Sequence, residues 1–441
     1  MKTQTLLFLA ITSLLPAQEK TKDPFIKDKK APEAAQPADS PTNLTFSLET
    51  FTLPQADYAT WLDSPTGRDQ LHSRVLAAVK AGTARLDACH FVRGKSGQQL
   101  ALESIEELMY PTLWHDADST GFQYPAAFDM RKLGDRLELE ATLEVSGAAL
   151  DLNHSFERAH FLGFRPYKAD TTLSGVAIAD FLDQKTPSNT GLLPGVPALL
   201  GTHTGEGRQV TLFFATPQVL RIAPTQKKPM RGVGNLALTP RLFSLDRTRA
   251  WELLQKHPED SAALLAEIQP LIATQDAVLE HISTITGKGG NVMSHESGQV
   301  FNYGTEFHPP TDEKPTKPSQ DPQTPAEPAR AKALAGTAAL DGRALGYRWE
   351  VEPVLGEEGD LADISIKFSY STHTGAVKDP HWNGHYPELP VFTNQEITTN
   401  ITQAVGTTIL ISTLNPPGNT GVNGRKDEAR VWLLFLETNL E

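Results

Sequence analysis

The chain is short of the features that usually announce chemistry or a membrane. Its 441 residues contain one cysteine, Cys89, so no internal disulfide can form and stability has to come from packing. No apolar run beyond the first residues is long enough for a spanning helix, so any membrane insertion would have to use strands contributed to a barrel. Basic clusters are missing too: 40 Lys and Arg stand against 53 Asp and Glu, a net charge of −13 that argues against nucleic acid and anionic membrane surfaces. There is no G-x-S-x-G, so a serine hydrolase has no nucleophile elbow. GKSG (Gly94 to Gly97) and GKGG (Gly287 to Gly290) lack the second spaced glycine, the Lys-Ser/Thr pair and the following helix of a phosphate loop. They read as tight hairpin turns, where glycine supplies a positive φ.

What is present begins with an export signal. Met1 to Ala17, MKTQTLLFLAITSLLPA, has one Lys, an apolar core from Leu6 to Leu15 and then small residues, the pattern of a secretory signal peptide over 1–17. No Cys follows that run, which disfavours a lipid-anchored form. Residues 18–43, rich in Lys, Pro, Ala and Asp, read as a flexible linker. About 400 residues remain, enough for two sizeable cores.

Those residues carry one unit twice. Ala126 to Phe156 and Ala338 to Phe368 align without a gap at a shift of 212, with 13 of 31 positions identical; chance at average composition would give about two. The identities include Asp129/Asp341, Arg131/Arg343, Gly134/Gly346, Arg136/Arg348, Glu138/Glu350 and Glu140/Glu352. Upstream, Gly94 to Thr112 matches Gly287 to Thr305 at a shift of 193. Downstream, Phe181, Gln184, Asn189 and Gly195 fall on Phe392, Gln395, Asn400 and Gly406 at 211, and Val210 to Phe214 falls on Val431 to Phe435 at 221. The second copy holds 19 extra residues between Thr305 and Ala338, within a Pro- and charge-rich insert over about 308–335 that reads as a mobile loop. A period near 200 residues is too long for a solenoid repeat. It implies two similar tandem domains, 44–223 and 237–441, joined by a linker over 224–236.

Each copy reads as helix first, then strands. Asp57 to Ala81 carries apolar residues at helical spacings, broken near Pro65 and Gly67; Asp246 to Glu280 does the same, with Asp260-Ser261 as an N-cap for its second part. Ala84 to Val92, the GKSG turn and Gln98 to Ser104 suggest a hairpin, repeated around GKGG. From Arg136 to Val145, Leu137, Leu139, Ala141, Leu143 and Val145 alternate with polar residues, and Asp363 to Ser371 alternates likewise. Thr407 to Ser412 and Val431 to Leu436 are apolar on both faces and fit central strands or strands against lipid. The fold class that follows is α+β, β-dominated, with a mainly antiparallel sheet in each unit.

No catalytic, cofactor-binding or metal site assembles from these residues. Glu138/Glu140 and Glu350/Glu352 are paired carboxylates two apart on one strand face, which acid–base chemistry could use. The plainer reading is a solvated face with Arg136 and Arg348 as partners. His381 and His385 are four apart, but Gly384 and Pro387 make that stretch a loop rather than a zinc-binding helix. His154 and His160 read as polar positions at a strand end. Cys89 fits a small core side chain better than a nucleophile. Trp61 and Trp251 occupy equivalent helix positions as core anchors.

The repeated order is a turn with G-K-x-G, an aromatic Tyr-x-Thr, then D-x-R-x-L-G-x-R-x-E-x-E and an alternating strand. After P-V-F-T come V-G-T-T-I-L-I-S-T (Val405 to Thr413) and an apolar closing strand. This resembles the secretin homology domain of bacterial type II and type III secretion and type IV pilus outer-membrane channels. Leu345 to Leu355, Val405 to Thr413 and Val210 to Val219 carry the likeness, and it covers about 44–221 and 237–441. The resemblance implies a non-catalytic exported envelope protein, periplasmic or outer-membrane associated. Its place would be structural or in assembly, within a protein secretion or pilus-type complex. Its partners would be envelope proteins: its own copies or a true secretin channel. Two alternatives stand beside it. One is a soluble periplasmic binding module with a ligand face on His308 to Lys332 and Ala376 to Pro390; the other is a hydrolase built on the Glu pairs.

Overall fold

A computed structural model describes residues 41–64, 70–116, 123–166, 177–223, 234–308, 336–377, 389–416 and 430–441. The signal segment and nearly all of both linkers and of the insert lie outside them. Pro41–Glu441 form one compact unit.

The first half contributes β1 (Thr42–Pro54), helices α1 (Gln55–Leu62) and α2 (Leu71–Lys80), β2 (Arg85–Lys95), β3 (Gln99–Asp116), β4 (Gln123–Leu143), β5 (Leu150–Pro166), β6 (Ala177–Leu192), β7 (Ala198–Thr204) and β8 (Gln209–Arg221). The second contributes β9 (Asn235–Asp246), α3 (Arg247–Lys256), α4 (Ser261–Ala273), β10 (Ala277–Ile282), β11 (Ile285–Lys288), β12 (Met293–His308), β13 (Gly336–Leu355), β14 (Leu361–Val377), β15 (Leu389–Ala404), β16 (Thr407–Leu414) and β17 (Arg430–Leu440). The class is α+β and β-dominated, with antiparallel pairing throughout. Thr42 and Asn43 belong to β1, and Asn235 and Leu236 to β9, so strand begins inside both stretches read as linker.

The order of partners recurs. β1 pairs with β2 and β8 as β9 pairs with β10, β11 and β17; β7 lies beside β8 as β16 lies beside β17. β3-β4-β5-β6 is matched by β12-β13-β14-β15. Registers agree in detail: Glu49 faces Cys89 across a bulge at Thr50/Phe51, and Arg241 faces Ile282 across a bulge at the corresponding place. Asp135 faces Arg158, and Tyr347 faces Tyr370. Gly134 and Gly346, at the 212 shift, both bend their strands at φ near +108, reading 107° and 109°. A side chain rarely adopts that angle.

The halves lie head to tail in two shared sheets. One runs β10-β9-β17-β16-β2-β1-β8-β7 with β11 beside β9; the other runs β12-β13-β14-β15-β3-β4-β5-β6. Four helices cover one face of the first sheet, enclosing a core with Phe51, Leu245, Trp251, Leu264 and Phe435. Its other face packs on the second sheet through Leu48, Phe156, Phe213, Trp349, Ile397 and Leu434. β17 serves both cores, Val431, Leu433 and Phe435 on the helix side and Leu434 and Leu436 on the sheet side. That is why its sequence is apolar on both faces. In the second sheet Glu306 of β12 also pairs with Ala127 of β4, so β12, β13, β14, β15, β3 and β4 form a closed circuit.

Three expectations need correcting. The GKSG and GKGG turns are not hairpins: β2 and β11 lie in the first sheet, while β3 and β12 lie in the second. Gly97 (φ 72°) and Gly290 (φ 81°) turn the chain across the corner of the sandwich, so the apolar faces on either side meet across the core rather than side by side. The second helical stretch stops at Ala273, and Ala277–Ile282 is the strand β10, its apolar residues completing a sheet edge. Val145 does not continue the buried alternation: β4 ends at Leu143, the Gly147 N–H donates to the Glu144 carbonyl in a turn, and Val145 is exposed.

Candidate functional site

The two halves meet along a seam, and the ends of the first sheet repeat its elements with no further strand beside them among the described residues. At the seam β15 pairs with β3 from Val391↔Leu108 to Thr398↔Ala101, whereas β16 shares only Ser412↔Val92 with β2. Side chains complete the thin part. The Asn415 Nδ2 donates to the Cys89 carbonyl at 2.9 Å, and its Oδ1 accepts from the Cys89 N–H at 3.1 Å, so one amide imitates a ladder residue. Between the sheets, Asn43 of β1 makes the same pair of bonds to the Thr402 carbonyl and N–H of β15, at 2.7 and 2.9 Å. Thr413 Oγ1 accepts from the Phe91 N–H at 2.7 Å and donates to the Cys89 carbonyl at 3.0 Å. On the helix side, buried Glu49 of β1 accepts from Trp251 Nε1 at 2.5 Å and Gln255 Nε2 at 2.9 Å, both on α3 of the other half. Satisfied buried amides and carboxylates of this kind specify one register.

Between the sheets of the first half lies a buried ionic group. Arg158 of β5 donates to Asp135 of β4 through Nε at 2.5 Å and Nη2 at 2.7 Å, and His90 Nε2 lies 2.9 Å from Asp135 Oδ2. Burial alone would raise the Asp135 carboxyl, but the Arg158 charge and the bonds from Arg158 and His90 outweigh it, holding it well below the usual carboxylate range. Here the copies diverge. Tyr347 and Tyr370 stand where Asp135 and Arg158 stand, with His281 packed on Tyr347 at 3.5 Å between ring centroids and His295 Nε2 3.0 Å from its hydroxyl. Burial, and then the nearby His295 charge, lower His281 to about 4.

The first sheet ends at β7 on one side and at β10 and β11 on the other. Ile282 on β10 is 52% exposed, while Cys89, its counterpart on β2 at the seam, is 3% exposed. Leu199 on β7 is 36% exposed, against 1% for Leu410, its counterpart on β16. Val278 and Leu279 add exposed apolar surface at the same end. Positions buried at the seam therefore carry apolar residues at these ends, where no strand among the described residues lies beside them.

The sequence-level candidates fall elsewhere. Glu138 and Glu350 are half-buried, and Glu140 and Glu352 lie on the exposed face of the second sheet. Arg136 Nη2 donates to Glu138 at 2.9 Å, and Arg348 lies 3.8 Å from Glu350. Cys89 sits in the helix-side core, its thiol pushed up to about 12 by burial. Trp251 is buried, whereas Trp61 only borders that core. His154 is buried in the middle of β5 rather than at a strand end, and burial lowers both it and His160. His381 and His385 lie outside the described residues, as do most of the two loops proposed as a ligand face. Neither the seam residues Asn43, Glu49 and Asn415 nor the inter-sheet Asp135 stands out in the sequence, because each acts through a partner on another strand or helix.

No family model and no curated protein matches the chain. Among solved structures it is similar to the type II secretion system secretin GspD of E. coli K12, with 8% identity and a TM-score of 0.22, over 55% of this chain and 57% of that one. It is similar to the Salmonella SPI-1 type III injectisome secretin InvG at 7% and 0.20, over 91% and 65%, and to the V. cholerae type IV competence pilus secretin PilQ at 8% and 0.21, over 91% and 61%. The chain thus spans less than two thirds of each of these chains. At TM-scores of 0.20 to 0.22 the likeness carries no argument for function.

Proposed function

We propose that the protein is a non-catalytic assembly component of the bacterial envelope, binding protein partners by extending its first sheet at β7 and at β10–β11. One observation carries this: the sheet already joins two like halves at the seam, and its ends expose apolar residues at the positions the seam buries. Strand addition suits such an edge, since ladder hydrogen bonds hold the incoming strand and alternate side chains fill pockets. The β12–β4 closure removes one edge of the second sheet and leaves β6 at the other; the apolar residues exposed at the ends of the first sheet make that sheet the joining surface. The partner is a second copy of the chain or another envelope protein with a matching edge. Met1 to Ala17 supports export to the periplasm or outer membrane.

The test is the mass of the purified mature protein in solution, with and without detergent. Masses in multiples of one chain are expected, reduced to a single chain by Ile282→Lys, which sets a charge in the edge contact. A single-chain mass at every concentration, together with no edge-dependent crosslink to any envelope protein, would overturn the proposal.

A further inference from the structure

Arg93 of β2 is almost fully buried, and its Nε and Nη1 have no hydrogen-bond partner. Its one side-chain bond among the described residues is from Nη2 to Ser261 Oγ at 3.3 Å, with the Phe91 ring 5.9 Å from the guanidinium. Burial pushes the group down to about 10. A guanidinium keeps its charge at neutral pH even so, and a buried cation without an anion is costly. Arg93 lines an open cavity of about 200 Å³ at the seam, between the start of α4 and the β15–β16 turn. Ser261 and Ala262, the first two residues of α4, line it as well. The Asp260 side chain accepts from the Ala263 N–H, and the first two N–H groups of the helix belong to Ser261 and Ala262.

Two independent features therefore favour negative charge at one spot: an unpaired buried cation and the beginning of a 13-residue helix. Leu220, Ile222 and Ile409 give the remaining wall its apolar part, Thr402, Gln403, Thr407 and Thr408 its polar part, and one further charge of each sign, Arg221 and Glu259, also lines the space. Arg221 and Glu259 offset one another, so Arg93 leaves the cavity one net positive charge, which a singly charged anion matches and a doubly charged one such as phosphate exceeds. The second half lacks this cation, because Thr286 occupies the place of Arg93. We propose that this cavity binds a monocarboxylate with a short aliphatic tail, its carboxylate on Arg93 and the first turn of α4 and its tail against Leu220, Ile222 and Ile409. The group comes either from a small free acid or from the C-terminus of a peptide ending in an aliphatic residue. The site stands apart from the sheet edges, and its success or failure leaves the assembly role untouched.

The experiment follows thermal unfolding of the full chain with sodium isovalerate, against sodium chloride at equal ionic strength and isoamyl alcohol as an uncharged analogue. A saturable rise in Tm with isovalerate alone is expected, and Arg93→Met should weaken binding by about tenfold or more, a charge-assisted pair being lost. If a peptide ending in a free leucine carboxylate stabilises the chain while isovalerate and the peptide amide do not, the site holds and its occupant is a chain terminus. No shift with either acid, or an equal shift in Arg93→Met, overturns the proposal. Should Arg93→Met fail to fold, Thr408→Trp, which narrows the cavity and leaves Arg93 in place, decides: undiminished binding there also overturns it.

Discussion

A buried charge is stable only while its partner is present, and the Asp135–Arg158 pair makes that testable. Asp135→Asn should destabilise the protein by about 3 kcal/mol, because Arg158 would stay buried with only the more distant Asp87, at 3.8 Å, as counterion; urea unfolding at pH 7 measures this. The replacement of that pair by Tyr347 and Tyr370 puts the other half under a different pH control. His281 is held at about 4 in the fold, by burial first and the His295 charge second, against about 6.5 for a free histidine. The unfolded chain therefore binds the extra proton between those values, so stability should fall as pH drops from about 6.5 toward 4. The contribution of this ring is fully present above about 6.5. His281→Gln should flatten the slope in that window, and an unchanged slope would show that other groups dominate it. Neither feature could be read from the chain alone: Asp135 and Arg158 look like ordinary alternating positions until a register sets them face to face.

Elements were more legible than their partners. The buried faces of β4 and β14, the Asp260 cap and the two-sided burial of β17 all follow from local patterns of period 2 or 3.6, because one residue's neighbours fix each of them. Which sheet a strand joins is a different matter. Ala84 to Ser104 has the alternation and turn of a hairpin, yet the turn rounds a corner, and the same local pattern serves both outcomes. The close approach at Gly298 and Gly346 shows what pairing demands in return. A Cβ at Gly346 would stand 2.2 Å from the Ser297 carbonyl oxygen and 2.6 Å from the Gly298 Cα, at a φ of +109°. Gly346→Ala should cost about 2–4 kcal/mol in denaturant unfolding, from the clash and the backbone strain together. Gly359→Ala, at a turn with open space around it, should show only the milder strain of its φ.

At the scale of the molecule, the likeness of the halves was visible in the sequence, but their sharing of both sheets was not, since no local pattern records which edges meet. The seam implies one cooperative unit. Residues 41–223 and 234–441 made separately should lack cooperative unfolding, each exposing the Asn415–Cys89 or Glu49–Trp251 half of a buried contact, whereas the joined chain should melt in one transition by far- and near-ultraviolet dichroism alike. Two independent, coincident melts from the separated pieces would contradict that. The corner turns after β2 and β11, with the crossings from β6 to β7 and from β15 to β16, carry the backbone between the two sheets at four places. Layers stitched so often have no slack to slide over one another, and a load on either one passes through covalent links to the other before any side chain has to let go.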